Sequence, residues 1–286
     1  MTTVQFIFKP SPDLLAYLEK GLGDNAQIEL RVPEDEEIET KSFKDLDAAD
    51  IIIGWRPTIQ LLRDATKTVL FINPGAGVQH LIPMFREVAS EREITLVNGH
   101  GNAYFTGQHG VAMLLSLTNK ILPHHNWLQN GQWRTGDTEG TSLPLRDLKI
   151  GLLGYGNINS KVHRFLSGFD LDFHILRNSS PGETDKQTEL ATFHQIQDLH
   201  NFLNIVDVLI IAVPLTSKTE NLIRKEELNL LGPHGLLVNI GRGAVVNEKD
   251  LFEALKNKSI AGAALDVWYD NDPPTDESGK RYPYHY

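Results

Sequence analysis

Short apolar runs rich in β-branched residues recur along the whole chain and alternate with segments of helical periodicity. They read "TVQFIFK", "AQIELRV", "ADIIIGW" and "TVLFIN" in the first half, then "LKIGLLG", "LDFHILR", "VDVLIIAVP", "GLLVNIG" and "IAGAALDVW" in the second. Strands interleaved with helices need crossover connections, so the chain is expected to be an α/β protein built on mainly parallel sheets. Helical patterns fall over Ser11 to Lys20 and Thr58 to Ala65, and a long one over Ala103 to Asn130 joins the two strand series. Pro123 is expected to kink or end the first part of that helix, because proline supplies no interior amide hydrogen. The acidic stretch "PEDEEIE" reads as a solvated connection, since like charges repel and are costly to bury together. Two strand series predict two domains, residues 1–104 and 105–286, with the long helix opening the second.

Composition narrows the function. A chain of 286 residues can bury more than one core. Its formal charge is −10, with no cluster of Lys and Arg, so a nucleic acid is not an expected partner. The absence of cysteine removes disulfide and thiolate chemistry. No segment offers the ~20 apolar residues of a membrane span. The start "MTTVQFIFKPSPD" lacks the basic and apolar regions of a signal peptide, and a cytoplasmic location is expected. His124 and His125 have no third ligand at a workable spacing, so no metal is expected and both read as surface residues.

One turn carries a specific chemistry. In "IGLLGYGNINSKVHRF" a strand feeds Gly154 and Gly156, and a helical pattern follows. This is the setting a dinucleotide fingerprint requires: the first glycine makes the tight turn, and the second lets the backbone approach a pyrophosphate at the helix N-terminus. Tyr155, Asn157 and Ile158 complete the turn. Asn159 stands where the third glycine is usual, a position that serves helix-to-strand packing, so it is expected to widen that crossing at a packing cost and leave the phosphate site open. The residue that reads the adenine ribose belongs ~20 positions on, at the next strand end. There "FHILRNSS" presents Arg177 in place of a carboxylate. A guanidinium suits a 2′-phosphate, so NADP is preferred within an NAD(P) site; the alternative is a solvated strand-end arginine.

The ordered set "NPGAGVQHL", "HGNAYFTGQHGVAMLL", "GLLGYGNI", "VDVLIIAVPLTSKTENLI", "LVNIGRGAVVNEKDL" and "IAGAALDVW" resembles the D-isomer-specific 2-hydroxyacid dehydrogenases, relatives of phosphoglycerate, glyoxylate/hydroxypyruvate and formate dehydrogenases. The resemblance spans almost the whole chain. It implies a Rossmann-type doubly wound parallel sheet domain for NAD(P) and a smaller flavodoxin-like α/β domain, with a small 2-keto or 2-hydroxy acid in the cleft between them and a homodimer as the assembly. It makes Arg242 of "NIGRGAVV" the catalytic arginine, which binds the substrate carboxylate and polarises the keto oxygen; a planar fork suits both tasks. Ala76 and Gly77 match a loop that offers backbone amides to the carboxylate. Asn102 matches a polar substrate contact, although a plain turn residue reads equally well there. Pro214, Thr219 and Ile240 match positions beside the dinucleotide, and Asp266 matches the acid that holds the nicotinamide carboxamide. From the residues alone Asp266 would be a strand-end cap. His109 follows Gln108 where many members have Ala-Glu-His, and on a helix face it reads as a structural histidine before a catalytic one.

Two departures follow. The family pairs its catalytic histidine with an acid that raises the imidazole pKa. By spacing that acid position falls on the amide Asn271, with Asp270 or Asp272 filling it if the loop register differs. The histidine belongs to a Pro-His motif after a further strand; here His285 is the only candidate after Asn271, and the expectation is a fragment whose acid lies past Tyr286. A second reading, a catalytically incomplete dinucleotide-binding regulatory or scaffold protein, follows from the same departure.

Overall fold

The computed structural model describes residues 1–23, 27–33, 46–133, 140–178 and 191–269. Most of the acidic "PEDEEIE" stretch lies outside them, as do Asp270, Asn271, Asp272 and His285. The chain forms two compact units, Met1–Asn102 and Ala103–Tyr286.

The first unit is a five-stranded parallel sheet of β1 (Thr2–Phe6), β2 (Ile28–Arg31), β3 (Ile51–Ile53), β4 (Leu70–Asn73) and β5 (Thr95–Asn98). Its order, β2-β1-β3-β4-β5, is that of flavodoxin-like sheets. Helix α1 (Pro12–Leu22) starts where Ser11 accepts the amide hydrogen of Leu14, with Pro12 at a position that needs no amide donor. Thr58 caps α2 (Ile59–Asp64) in the same way. Helix α3 (Ile82–Glu91) turns Phe85 and Val88 into a core with Ile52, Leu62 and Phe71.

The second unit opens with α4 (Ala103–Thr118) and α5 (Ile121–Gln129). The long helix breaks at Lys120, whose φ of 53° is left-handed. This corrects the expected role of Pro123: the break precedes it, and the proline sits in the first turn of α5, where its missing amide hydrogen leaves no acceptor unfilled.

A six-stranded parallel sheet follows, made of β6 (Lys149–Leu153), β7 (Asp172–Arg177), β8 (Ala191–Gln195), β9 (Val208–Ile211), β10 (Leu236–Asn239) and β11 (Gly262–Leu265). Helices α6 (Asn159–Leu166), α7 (Leu199–Leu203), α8 (Lys225–Leu231) and α9 (Glu248–Lys256) complete the unit among the described residues. The order β11-β10-β9-β6-β7-β8 is the doubly wound Rossmann order. The chain steps outward through β6, β7 and β8, then returns beside β6 to place β9. Loops diverge at that switch, and a crevice opens at the carboxyl ends of the strands. Strand β9 shows why its sequence is continuously apolar. Val208 and Ile210 enter one buried cluster, and Leu209 and Ile211 enter the other, on the opposite face. Each such side chain contributes about 1.5–3 kcal/mol on burial.

The start of α8 ties stability to pH. The Glu227 carboxylate accepts from the Arg224 amide at 2.9 Å and lies 2.9 Å from His200 Nε2, while His200 Nδ1 faces Glu226 at 3.8 Å. Two different imidazole nitrogens face the two carboxylates, and only the Glu227 contact is of hydrogen-bond length. Burial alone would raise the Glu227 pKa; the Arg224 amide and the imidazole outweigh it and hold the pKa below its ordinary value. A depressed carboxylate pKa stabilises the fold above the unfolded value and loses that contribution as pH falls through the folded one. Glu227→Gln should therefore flatten the acid limb of stability against pH, measured by denaturant unfolding. An unchanged acid limb would show that Glu227 is not linked to folding.

Candidate active site

At the end of β6, Gly154 adopts φ +84°, which costs an L side chain strain. Its amide donates to Leu176 O of β7 at 2.8 Å, so the turn is fastened to the neighbouring strand. Gly156 and Asn157 stay exposed, and Ile158 leads into α6. Beside them lies a cavity of about 700 Å³ lined by Gly154, Tyr155 and Gly156, by Arg177 and Asn178 from the end of β7, and by Pro214, Lys218 and Thr219 after β9. It sits at the switch point of the sheet.

Local bonding shapes each wall. Thr219 Oγ1 accepts from the Thr216 amide at 2.8 Å and donates to Pro214 O at 2.6 Å, closing a compact turn. The Arg177 guanidinium lies 5.0 Å over the Phe193 ring of β8, a cation–π contact that holds its plane. Arg177 and Lys218 line the cavity, and no carboxylate does among the described residues. Tyr155 Oη is 2.8 Å from His163 Nδ1. His163 is buried, and burial lowers its pKa, which favours the neutral imidazole in this hydrogen bond.

Asn159 adds hydrogen bonds at the position where a packing cost is expected. The side chain is fully buried, and its Nδ2 donates to Gly154 O at 2.7 Å, Leu153 O at 3.2 Å and Ile210 O at 3.3 Å. The space a glycine would leave holds an amide that bonds β6, the turn and β9 together.

Arg242 is set by an asparagine that sequence reasoning missed. Asn239, at the end of β10 and 1% exposed, accepts from the Gly241 amide at 3.1 Å and donates to Arg242 O at 3.0 Å. The strand end is folded back on itself, and half-buried Arg242 donates from Nη1 to Gly241 O at 2.7 Å. Gly243 must lack a side chain, because a Cβ would run into the Trp268 carbonyl. The same Asn239 accepts through its carbonyl from the Asp266 amide at 3.0 Å, just beyond β11. Arg242 and Asp266 thus stand at the carboxyl ends of neighbouring strands, joined through one residue. His109 Nε2 of α4 lies 3.2 Å from Asp266 Oδ1, which gives the histidine a partner at this edge. The buried Ile240 side chain packs under α4 at Gly110, leaving its backbone at the edge.

In the first unit, Ala76 and Gly77 follow β4. Asn73 Nδ2 donates to Gly75 O at 2.6 Å and Asn98 Nδ2 to Ala76 O at 2.9 Å. In a trans peptide the N–H points opposite to the C=O, so these bonds turn the amides of Ala76 and Gly77 away from the asparagines. Asn102 is exposed in the turn after β5. Elsewhere His125 is exposed, while partly buried His124 lies 2.9 Å from Gly140 O, a correction to its reading as a plain surface residue.

Residues 111–283 match the D-isomer specific 2-hydroxyacid dehydrogenase family, NAD binding domain. The chain belongs to this family. It is 29% identical over 277 residues to a formate dehydrogenase of Neurospora crassa, covering 93% of this chain and 73% of that one. It is 30% identical over 248 residues to a glyoxylate reductase of Pyrococcus furiosus, covering 84% of this chain and 70% of the relative. A solved NADPH-dependent glyoxylate/hydroxypyruvate reductase from Sinorhizobium meliloti has a TM-score of 0.71 at 26% identity, over 97% of this chain and 83% of that chain. The family match takes in the glycine turn, Arg177, Arg242 and Asp266, whereas Ala76, Gly77, Asn102 and His109 precede it.

Proposed function

We propose that this 2-hydroxyacid dehydrogenase family member passes hydride between NAD(P)H, with NADP(H) preferred, and a small 2-keto or 2-hydroxy acid. One observation carries the reading: Arg242 and Asp266, tied through Asn239, share the carboxyl edge of the sheet that bears the glycine-turn cavity. The cavity fits a dinucleotide in volume and in charge, with a left-handed glycine and the cations Arg177 and Lys218 in its lining.

Gly154 and Gly156, with the amides of Tyr155, Asn157 and Ile158 at the helix start, would hold the pyrophosphate. Arg177, stacked on Phe193, would hold a 2′-phosphate in a charge-assisted fork. Pro214, Thr219 and the Ile240 backbone would flank the cofactor, and Asp266, oriented by His109, would hold the carboxamide. When bound, the nicotinamide supplies or accepts the hydride. Arg242 would bind the substrate carboxylate and stabilise charge on the keto oxygen. On the family resemblance, the Ala76 and Gly77 amides and Asn102 would give residues 1–104 a role toward the substrate, and residues 105–286 would serve the cofactor and carry Arg242. The acid position falls to Asn271 by spacing, and a histidine would supply the proton. The family relationship also supports a homodimer, and no described helix is long and apolar enough to cross a membrane. Fluorescence titration tests the cofactor half: NADPH should bind saturably and be displaced by NADP⁺. No saturable binding of NADPH or NADH would end the reading.

A further inference from the structure

We infer that Asn159 is a positioning residue for the pyrophosphate site, acting through the Gly154 carbonyl. The inference rests on the cofactor reading above. Asn159 sits where the fingerprint has its third glycine, is wholly buried, and directs its Nδ2 at the carbonyls of Leu153, Gly154 and Ile210. Those acceptors fix which end of the amide is the nitrogen, because the opposite flip would press an oxygen against three carbonyl oxygens. Leu153 O already accepts from the Ala212 amide in the sheet. The shortest of the three bonds, 2.7 Å, goes to Gly154 O at the head of the turn.

That bond sets the direction of the turn. Gly154 is fastened on one side by its amide to Leu176 O and on the other by its carbonyl to Asn159. With the Gly154 carbonyl drawn inward and the peptide trans, the Tyr155 amide hydrogen points outward, on the side of the cavity that Gly154, Tyr155 and Gly156 line. Phosphate recognition in this setting depends on such outward amides at a helix start. Asn159 therefore aims a donor that a glycine in its place could not. It does so at a cost, since its own Oδ1 is buried with no hydrogen-bond partner. Orphaned buried acceptors are unfavourable, so the side chain is better explained by the turn it holds than by the packing it fills.

Asn159→Ala separates these roles. Titrations of NADPH and of adenosine 2′-phosphate, which lacks the pyrophosphate, should diverge. NADPH affinity should fall about tenfold or more, the loss of a hydrogen bond to a charged group, while adenosine 2′-phosphate affinity stays within about twofold. Asn159→Gly should lose NADPH affinity in the same direction even though it restores the usual glycine. Thermal unfolding and near-ultraviolet circular dichroism identify any variant that has not folded, and the comparison then rests on the folded one. Equal losses for both ligands, or no loss for either, would overturn the positioning role. A wild-type chain that binds neither ligand would overturn the cofactor reading itself, and the inference with it.

Discussion

Arg242→Ala should lower kcat/KM for small 2-keto acids by about 10²–10³-fold while NADPH affinity stays within about twofold. The position explains the split. Asn239 folds the end of β10 back and presents the guanidinium at the sheet edge, whereas the glycine turn and Arg177 line a cavity with which Arg242 shares no wall. Arg242→Lys should fall between the two, because an ammonium keeps the charge and loses the planar fork that donates in parallel to a carboxylate. Steady-state kinetics paired with fluorescence titration reads both quantities. Loss of NADPH binding in Arg242→Ala would mean that the arginine serves the cofactor instead of the substrate.

Arg177→Asp should invert the nucleotide preference. The wild-type chain should bind NADPH more tightly than NADH, and the variant should bind NADH more tightly, with NADPH affinity falling about 10–100-fold. A carboxylate there repels the 2′-phosphate but accepts hydrogen bonds from the two ribose hydroxyls. Lys218 on the same cavity remains as a residual cation, so Arg177→Asp combined with Lys218→Ala should complete the inversion. Equal affinities of the wild type for the two cofactors would show that Arg177 stacks on Phe193 without reading the ribose.

Long-range order was legible where residues speak for themselves. A strand such as Val208–Ile211, buried on both faces, must be apolar at every position, and a glycine in the left-handed region must be glycine. Strand β8 was not legible, because its half-exposed sequence "ATFHQ" shows neither a continuous run nor clean alternation. Strand β5 flanks Leu96 and Val97 with polar Thr95 and Asn98 and offers no continuous apolar run, and α3 mixes charged with apolar positions. Motifs singled out Gly154, Arg177, Arg242 and Asp266, and the structure sets all four at or just past the carboxyl ends of strands of the second sheet. The bonds of Asn239 and Asn159 were not legible: Asn239 closes a local turn onto the Gly241 amide and the Arg242 carbonyl, and Asn159 bonds in part to Ile210, which only the sheet brings near. A buried asparagine at a strand end carries no periodic signal. Pro123 shows the converse limit: proline marks a helix boundary, and the start of a new helix uses it as readily as the end of an old one.

Hydride transfer to a 2-keto acid is tested most directly by following NADPH oxidation by this chain with glyoxylate, hydroxypyruvate and pyruvate while quantifying the 2-hydroxy acid formed. The expected result is equimolar NADPH loss and 2-hydroxy acid gain with at least one of these substrates, lowered about 10²–10³-fold by Arg242→Ala. Saturable NADPH binding with no 2-hydroxy acid formed from any of them would contradict it, and would leave a dinucleotide-binding protein without this chemistry.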